Sequence, residues 1–307
     1  MNDKFSRKIF CDGMRDGFPI ALGYFAVSFS LGIAARHAGF TPMQGFLASL
    51  LNNASAGEYA AFTSSLIPGC DNIIGIRQPV LKQYAKQLIK ENKDFRQLLS
   101  EPDIYQEETL LRSYIIGMGT AKEKDFKKAL KDFNTFVPLV NNWAVNDSFC
   151  VEFRVMDIFR DEFLPYIKEC IESFDEYRAR VGLIMLLDHY LKVDMHGMKR
   201  PRMKKVTIKD IESTDEINCA NGLYLDDIFS LVNRDFSAYG YYTQMAAGWL
   251  LAECFVTFPK RTWEYLTDTD CLKLDKLSYQ KAVRKICESL TPDKEVKLKV
   301  KKDLKQM

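Results

Sequence analysis

The chain has 307 residues, 47% hydrophobic and 27% charged, which is ordinary for a globular protein and enough to bury one or two cores. Its 43 Lys/Arg stand against 41 Asp/Glu, a net charge of +2, which excludes nucleic-acid binding by general basicity and leaves only a locally charged face for that purpose. The averages hide a junction near Gly57-Glu58: five basic and three acidic residues precede it, all but Arg36 before Gly17, and 38 of each sign follow.

Gly17 to Ala35 is an uncharged run of nineteen residues, which predicts a membrane-type helix. Its Pro19, Gly23 and Gly32 are better tolerated in a bilayer than in water. Ala38 to Gly57 is a second uncharged run, interrupted by Gln44, Asn52 and Asn53. A cleaved signal peptide is the competing reading, opposed by the Asp12 and Asp16 flanks and the lack of a small-residue cleavage motif. Lys4, Arg7, Lys8 and Arg15 predict a cytoplasmic N-terminus; one span would export the remainder, whereas two would return it to the cytoplasm.

Asp12-Gly13-Met14-Arg15, Pro19-Ile20-Ala21-Leu22-Gly23-Tyr24, Leu31-Gly32-Ile33-Ala34-Ala35 and Ala54-Ser55-Ala56-Gly57-Glu58-Tyr59-Ala60-Ala61-Phe62 follow in an order that resembles the start of AzlC-like branched-chain amino-acid permeases. The likeness covers about 1–62 and stops within the second span. A transport path needs several helices, so this segment is not expected to carry substrate alone.

From Glu58 onward apolar residues recur at three- and four-residue spacing. The sets are Leu81, Tyr84, Ala85, Leu88 and Ile89; Leu110, Leu111, Tyr114, Ile115 and Met118; Phe159, Phe163, Leu164, Ile167 and Ile171; then Tyr177, Val181, Ile184, Met185 and Leu187. These predict amphipathic helices, with breakers at Pro102, Pro138, Pro201 and Pro259 and no period-two strand run. The expected class is all-α, either helix pairs stacked as a HEAT-like solenoid or a compact bundle. Two domains are expected, 1–57 and 58–307.

The eight cysteines form no C-x-x-C pair and no Cys/His cluster, so they read as reduced residues of a cytosolic protein. Asp188-His189 with Asp194 and His196 has no standard metal spacing, and no metal or cofactor is expected. In Asn142-Trp143-Ala144-Val145-Asn146-Asp147 an aromatic and a carboxylate stand four apart, which on a helix places both on one face. From spacing alone, Trp143 and Trp249 also fit a core, Asp147 a cap, and Arg180 a solvated partner for Glu176.

A second resemblance rests on a longer series. It runs through Glu58 to Phe62, Leu66-Ile67-Pro68-Gly69, Ile73 to Lys82, Ala85-Lys86, Gln106-Glu107-Glu108, Asn142 to Cys150, Arg178-Ala179-Arg180-Val181, Tyr241 to Trp249, Lys281 to Ile286 and Glu288-Ser289. Over about 58–307 this resembles the DNA alkylation repair family of AlkD-like alkylpurine glycosylases. The resemblance implies a curved stack of HEAT-like helix pairs acting as a monomer on alkylated double-stranded DNA. It also implies hydrolysis of the N-glycosidic bond of N3- or N7-alkylated purines, with no cofactor. Asp147 matches the catalytic carboxylate, Trp143 and Trp249 match aromatics of the same cleft, and Arg180, or else Arg178, matches a phosphate-holding arginine. The location implied is cytoplasmic, with residues 1–57 as a tether to the inner face of the plasma membrane.

One departure is Ala252, where the resemblance calls for an arginine. It favours the alternative of a catalytically silent scaffold for DNA or protein. Two basic stretches remain as candidate phosphate contacts: Lys199, Arg200, Arg202, Lys204 and Lys205, and the lysine-rich tail from Lys294 to Lys305.

Overall fold

The computed structural model describes residues 72–199, 202–212 and 222–304, with Thr41, Ser64, Ile67 and Cys70. Among these there are twelve α-helices and no strands beyond three isolated bridges, as the three- and four-residue periodicity predicts. No helix of the described residues is long and apolar enough to cross a membrane. The membrane-type helices expected within 17–57, and the domain boundary expected at 57/58, lie outside the described residues.

Contacts divide the chain into two compact units, 1–81 with 103–108, and 82–102 with 109–307. In the first, the Glu107 carboxylate accepts backbone N–H bonds from Ile74 (3.0 Å), Gly75 (2.7 Å) and Ile76 (3.3 Å). Gly75 has φ +93°, a left-handed conformation that a side chain would strain. The turn thus wraps its amides around one carboxylate.

Twelve helices follow in chain order. They are α1 (Gln78–Glu91), α2 (Gln106–Glu123), α3 (Phe126–Phe136), α4 (Trp143–Glu152), α5 (Arg160–Ile171), α6 (Glu176–Met185), α7 (Ile208–Glu212), α8 (Leu225–Val232), α9 (Tyr241–Thr257), α10 (Pro259–Thr267), α11 (Lys276–Glu288) and α12 (Lys294–Asp303). Pro259, read as a breaker, is the first residue of α10, where its missing N–H has no intrahelical partner to lose. The closest packing within the second unit is α9 on α11, then α5 on α6, α6 on α9 and α4 on α6.

The aromatic core explains why α4 sits still. Phe136 and Phe149 have centroids 4.6 Å apart, Phe149 and Phe153 5.0 Å, and Phe153 and Phe163 5.6 Å, and all four rings are fully buried. Burying each ring contributes roughly 2–3 kcal/mol, and together they join α3, α4 and α5. Two glycines let helices approach more closely than side chains would allow. A Cβ on Gly182 would stand 2.5 Å from Ile171 Cγ1, and one on Gly248 would stand 2.6 Å from Lys281 Cβ. Gly182 therefore sets the α5–α6 contact and Gly248 the α9–α11 contact.

Helix α6 does not end in an ordinary turn. Residues Leu186–Tyr190 form a π-helical turn in which Leu191 N–H reaches back to Leu186 C=O at 2.9 Å. Buried His189 follows from it, with Nε2 2.7 Å from the Cys150 carbonyl and Nδ1 3.1 Å from Asp157. The cluster read as having ligand character therefore uses His189 to fasten α4's C-terminal end.

Candidate active site

Asn142 starts α4 by accepting the N–H groups of Ala144 and Val145, both at 3.0 Å. Trp143 is then the first helical residue, and Asp147 and Val151 follow on the same face at successive i+4 positions. Trp143 and Asp147 are half-buried and Val151 is 41% exposed, whereas Ala144, Val145, Asn146, Ser148, Phe149 and Cys150 are buried. The core takes one face and leaves a stripe carrying the indole and the carboxylate.

Asp147 does not stand free in that stripe. Arg180 of α6 donates Nε to Oδ1 at 3.0 Å and Nη2 to Oδ2 at 2.8 Å, a planar two-point fork. Its Nη1 donates to the Tyr242 carbonyl at 2.8 Å, and the side chain is only 6% exposed against 25% for Asp147. Arg180, expected to hold a phosphate, is instead turned inward with all three nitrogens engaged. Nor does it partner Glu176, whose carboxylate caps α9 by accepting Tyr242 N–H at 2.6 Å. Glu176 and Arg180, one turn apart on α6, thus hold the two polar groups of one residue of α9. Asn146 adds the third tie, donating to Tyr177 C=O at 2.9 Å.

Burial raises the Asp147 carboxyl above its ordinary range, and the Arg180 fork and the more distant Lys285 pull against that rise without cancelling it. A partly buried carboxylate whose charged form is held mainly by one arginine is costly to keep ionised. Such a group is suited to meeting developing positive charge or taking a proton.

Trp249 lies on α9, seven residues after Tyr242, with Lys285 Nζ of α11 5.7 Å from its ring centroid. Tyr242 stacks on Tyr177 at 5.7 Å, so aromatic faces line the α6–α9 seam beside Arg180. Ala252 is 5% exposed, and its methyl is covered. Arg178 is at the surface, 3.5 Å from Glu169.

The basic loop is partly neutralised by its own neighbours. Arg202 bonds Ser289 Oγ at 2.8 Å and stands 3.8 Å from Glu253; Lys205 stands 3.8 Å from Asp293. Lys199 and Lys204 are exposed, and Arg200 lies outside the described residues. Among the described residues no group of three or more His, Cys, Asp or Glu side chains is arranged to hold a metal ion.

Residues 44–286 match the family described as DNA alkylation repair enzyme, well over half of the chain. The chain belongs to the DNA alkylation repair enzyme family. The match takes in α1 through α10 and most of α11, and with them Trp143, Asp147, Arg180 and Trp249. It begins at residue 44, ahead of the junction read at Gly57-Glu58. An uncharacterized membrane protein of Archaeoglobus fulgidus is 40% identical over 55 residues, 18% of this chain. The aligned stretch is 25% of that protein, so the chain spans about a quarter of this relative's length. In this member of the DNA alkylation repair enzyme family, the matched span holds the whole α4, α6 and α9 arrangement around Asp147.

Asp188, weighed in the sequence only for metal ligation, is a second carboxyl, and it feels the charge of Asp147. Asp188, on the π-helical turn, is pushed up to about 6 by burial, with Asp147 and Asp157 adding to the rise and His189 and Lys192 opposing it. A raised carboxyl binds its proton in the folded state, so its stabilising contribution is complete below the unfolded value near 4 and is lost as pH rises through about 6. Asp188→Asn is therefore expected to melt higher than wild type at pH 7, by about 1–3 kcal/mol, and to match it at pH 4. Denaturant titrations at both pH values check this, and an equal gap at both would contradict it.

Proposed function

We propose that this chain is a DNA glycosylase that releases N3- or N7-alkylated purines from duplex DNA, with Asp147 as the catalytic carboxylate. An alkylated purine carries positive charge and leaves as a neutral base when its bond to C1′ breaks with the bonding pair. The sugar is left as an oxocarbenium ion. Asp147 stabilises that cation electrostatically, and a water attacks C1′ while its proton passes to the carboxylate. Trp143 and Trp249 offer indole faces to the cationic base and the deoxyribose. Arg180 is a positioning residue that fixes both carboxylate oxygens.

The observation that supports this most is the pairing of Asp147 with Trp143 on the half-buried face of α4, with the carboxylate raised by burial and gripped by Arg180. In the same reading the helices stack as HEAT-like pairs, residues 58–307 are the active monomer, and no cofactor takes part. The test is incubation of the full chain with methylated duplex DNA, followed by chromatography of the small-molecule fraction. Free methylated purine and matching abasic sites are expected; intact base on every strand would overturn the reading.

A catalytically silent DNA- or protein-binding scaffold is the second reading. It is favoured by Ala252 in place of a cation and by the complete engagement of Arg180 within the protein. The same incubation separates the two.

A further inference from the structure

Helix α11 carries Lys281 and Lys285 at i and i+4, one above the other on the side facing α9. Lys281 Nζ is 5.1 Å from the centroid of Tyr241 and 3.4 Å from its hydroxyl; Lys285 Nζ is 5.7 Å from the centroid of Trp249. Gly248 makes this possible, because any Cβ there would stand 2.6 Å from Lys281 Cβ and 2.9 Å from Ala282 N, forcing α11 away from α9.

The two lysines differ from the other cations nearby in having no carboxylate partner. On the same helix Arg284 is neutralised by Glu288 at 2.7 Å, and in the loop before α7 Arg202 and Lys205 face Glu253 and Asp293. Among the described residues no acid lies within ion-pair distance of Lys281 or Lys285; aromatic faces hold both. An aromatic face orients an ammonium and leaves its charge available to an anion. Lys285 also favours the ionised form of Asp147, from farther off than Arg180, so the positive row acts on the proposed catalytic carboxylate.

The geometry points to Lys281 and Lys285 as a two-cation rail for the sugar–phosphate backbone of the DNA strand beside Asp147, with Tyr241 and Trp249 as its floor. The two lysines are one helical step of four residues apart, about 6 Å of rise along α11, and lie against rings two turns apart on α9, so the charges form a row that follows one strand rather than a single point. This rests on the proposed reading of the Asp147 face as a DNA site, but it concerns binding and requires no base release.

The experiment is equilibrium binding of the full chain to an undamaged duplex over a series of salt concentrations. Wild type is compared with Lys281→Gln, Lys285→Gln, the double variant, both Lys→Arg variants, and Lys168→Gln on the exposed side of α5 as control. Each phosphate contact contributes about 0.9 to the slope of log affinity against log salt, so each Gln variant should flatten the slope by about one unit and the double by about two. The Arg variants and Lys168→Gln should keep the wild-type slope. An unchanged slope in a double variant that retains the wild-type circular dichroism and melting curve would overturn the rail and leave the lysines as braces for α9. Absence of duplex binding by wild type would also overturn it. The expected flattening without base release would sink the glycosylase reading alone, and base release with an unchanged slope would sink the rail alone.

Discussion

Arg180→Met is expected to destabilise the protein by roughly 2–4 kcal/mol, the larger part of it from Asp147. Removing one partner of a largely buried ion pair leaves the other charge desolvated, which costs about 3–5 kcal/mol when the survivor is fully enclosed. Asp147 is 25% exposed, so water screens part of that loss. The Tyr242 carbonyl also loses its donor. With the fork gone, burial is opposed only by the more distant Lys285, and the carboxyl's pKa should rise further above the ordinary range. The double variant Arg180→Met with Asp147→Asn should be more stable than Arg180→Met alone, since no charge is then stranded. Urea titrations of wild type and the two variants measure this. A single variant as stable as wild type would show that the fork holds nothing.

Asp147→Asn is expected to behave in the opposite way, keeping the fold and losing the chemistry. The amide oxygen still accepts one N–H of Arg180 and the side-chain volume is unchanged, so the fold is kept, but the largely buried guanidinium loses its counter-charge and its second acceptor, at a cost of about 1–3 kcal/mol that a melting curve reads. The negative charge that would meet an oxocarbenium ion is gone. Loss of one such electrostatic contact costs about 3–4 kcal/mol of transition-state stabilisation, or about 10²–10³ in rate. Duplex affinity should be unchanged within a few-fold, because phosphate contacts and not Asp147 supply it. A variant that releases base at the wild-type rate would remove Asp147 from the mechanism.

The sequence makes local features legible and leaves pairings hidden. Asp147 four residues after Trp143 already places the indole and the carboxylate on one face of a helix, and α4 has that arrangement, with Asn142 as the cap that the structure adds. The three- and four-residue recurrences that predict α1, α2, α5 and α6 are visible for the same reason: each depends only on neighbours within one or two turns. Arg180 is different. Whether it turns to solvent or inward depends on the carbonyl of Tyr242, delivered by α9, and on an Asp147 presented by α4. The surroundings of the basic loop are hidden on the same ground, because Arg202 and Lys205 face Glu253 and Asp293, far along the chain. Lys285 is the converse case, an ordinary helical lysine in sequence that gains meaning only when Gly248 lets α11 close on α9. The π-helical turn at Leu186–Tyr190 interrupts the periodicity with one extra residue, and no sequence signal marks it.

The central claim is that Asp147, held by Arg180 beside Trp143, breaks the glycosidic bond of an alkylated purine. Its most direct test is single-turnover release of methylated purine from a duplex by the full chain and by Asp147→Asn at equal, saturating protein. The account predicts release by wild type and a loss of at least about 10²-fold in the variant with binding retained. Equal release by both, or none by a wild-type chain that is folded and bound to the duplex, would contradict it.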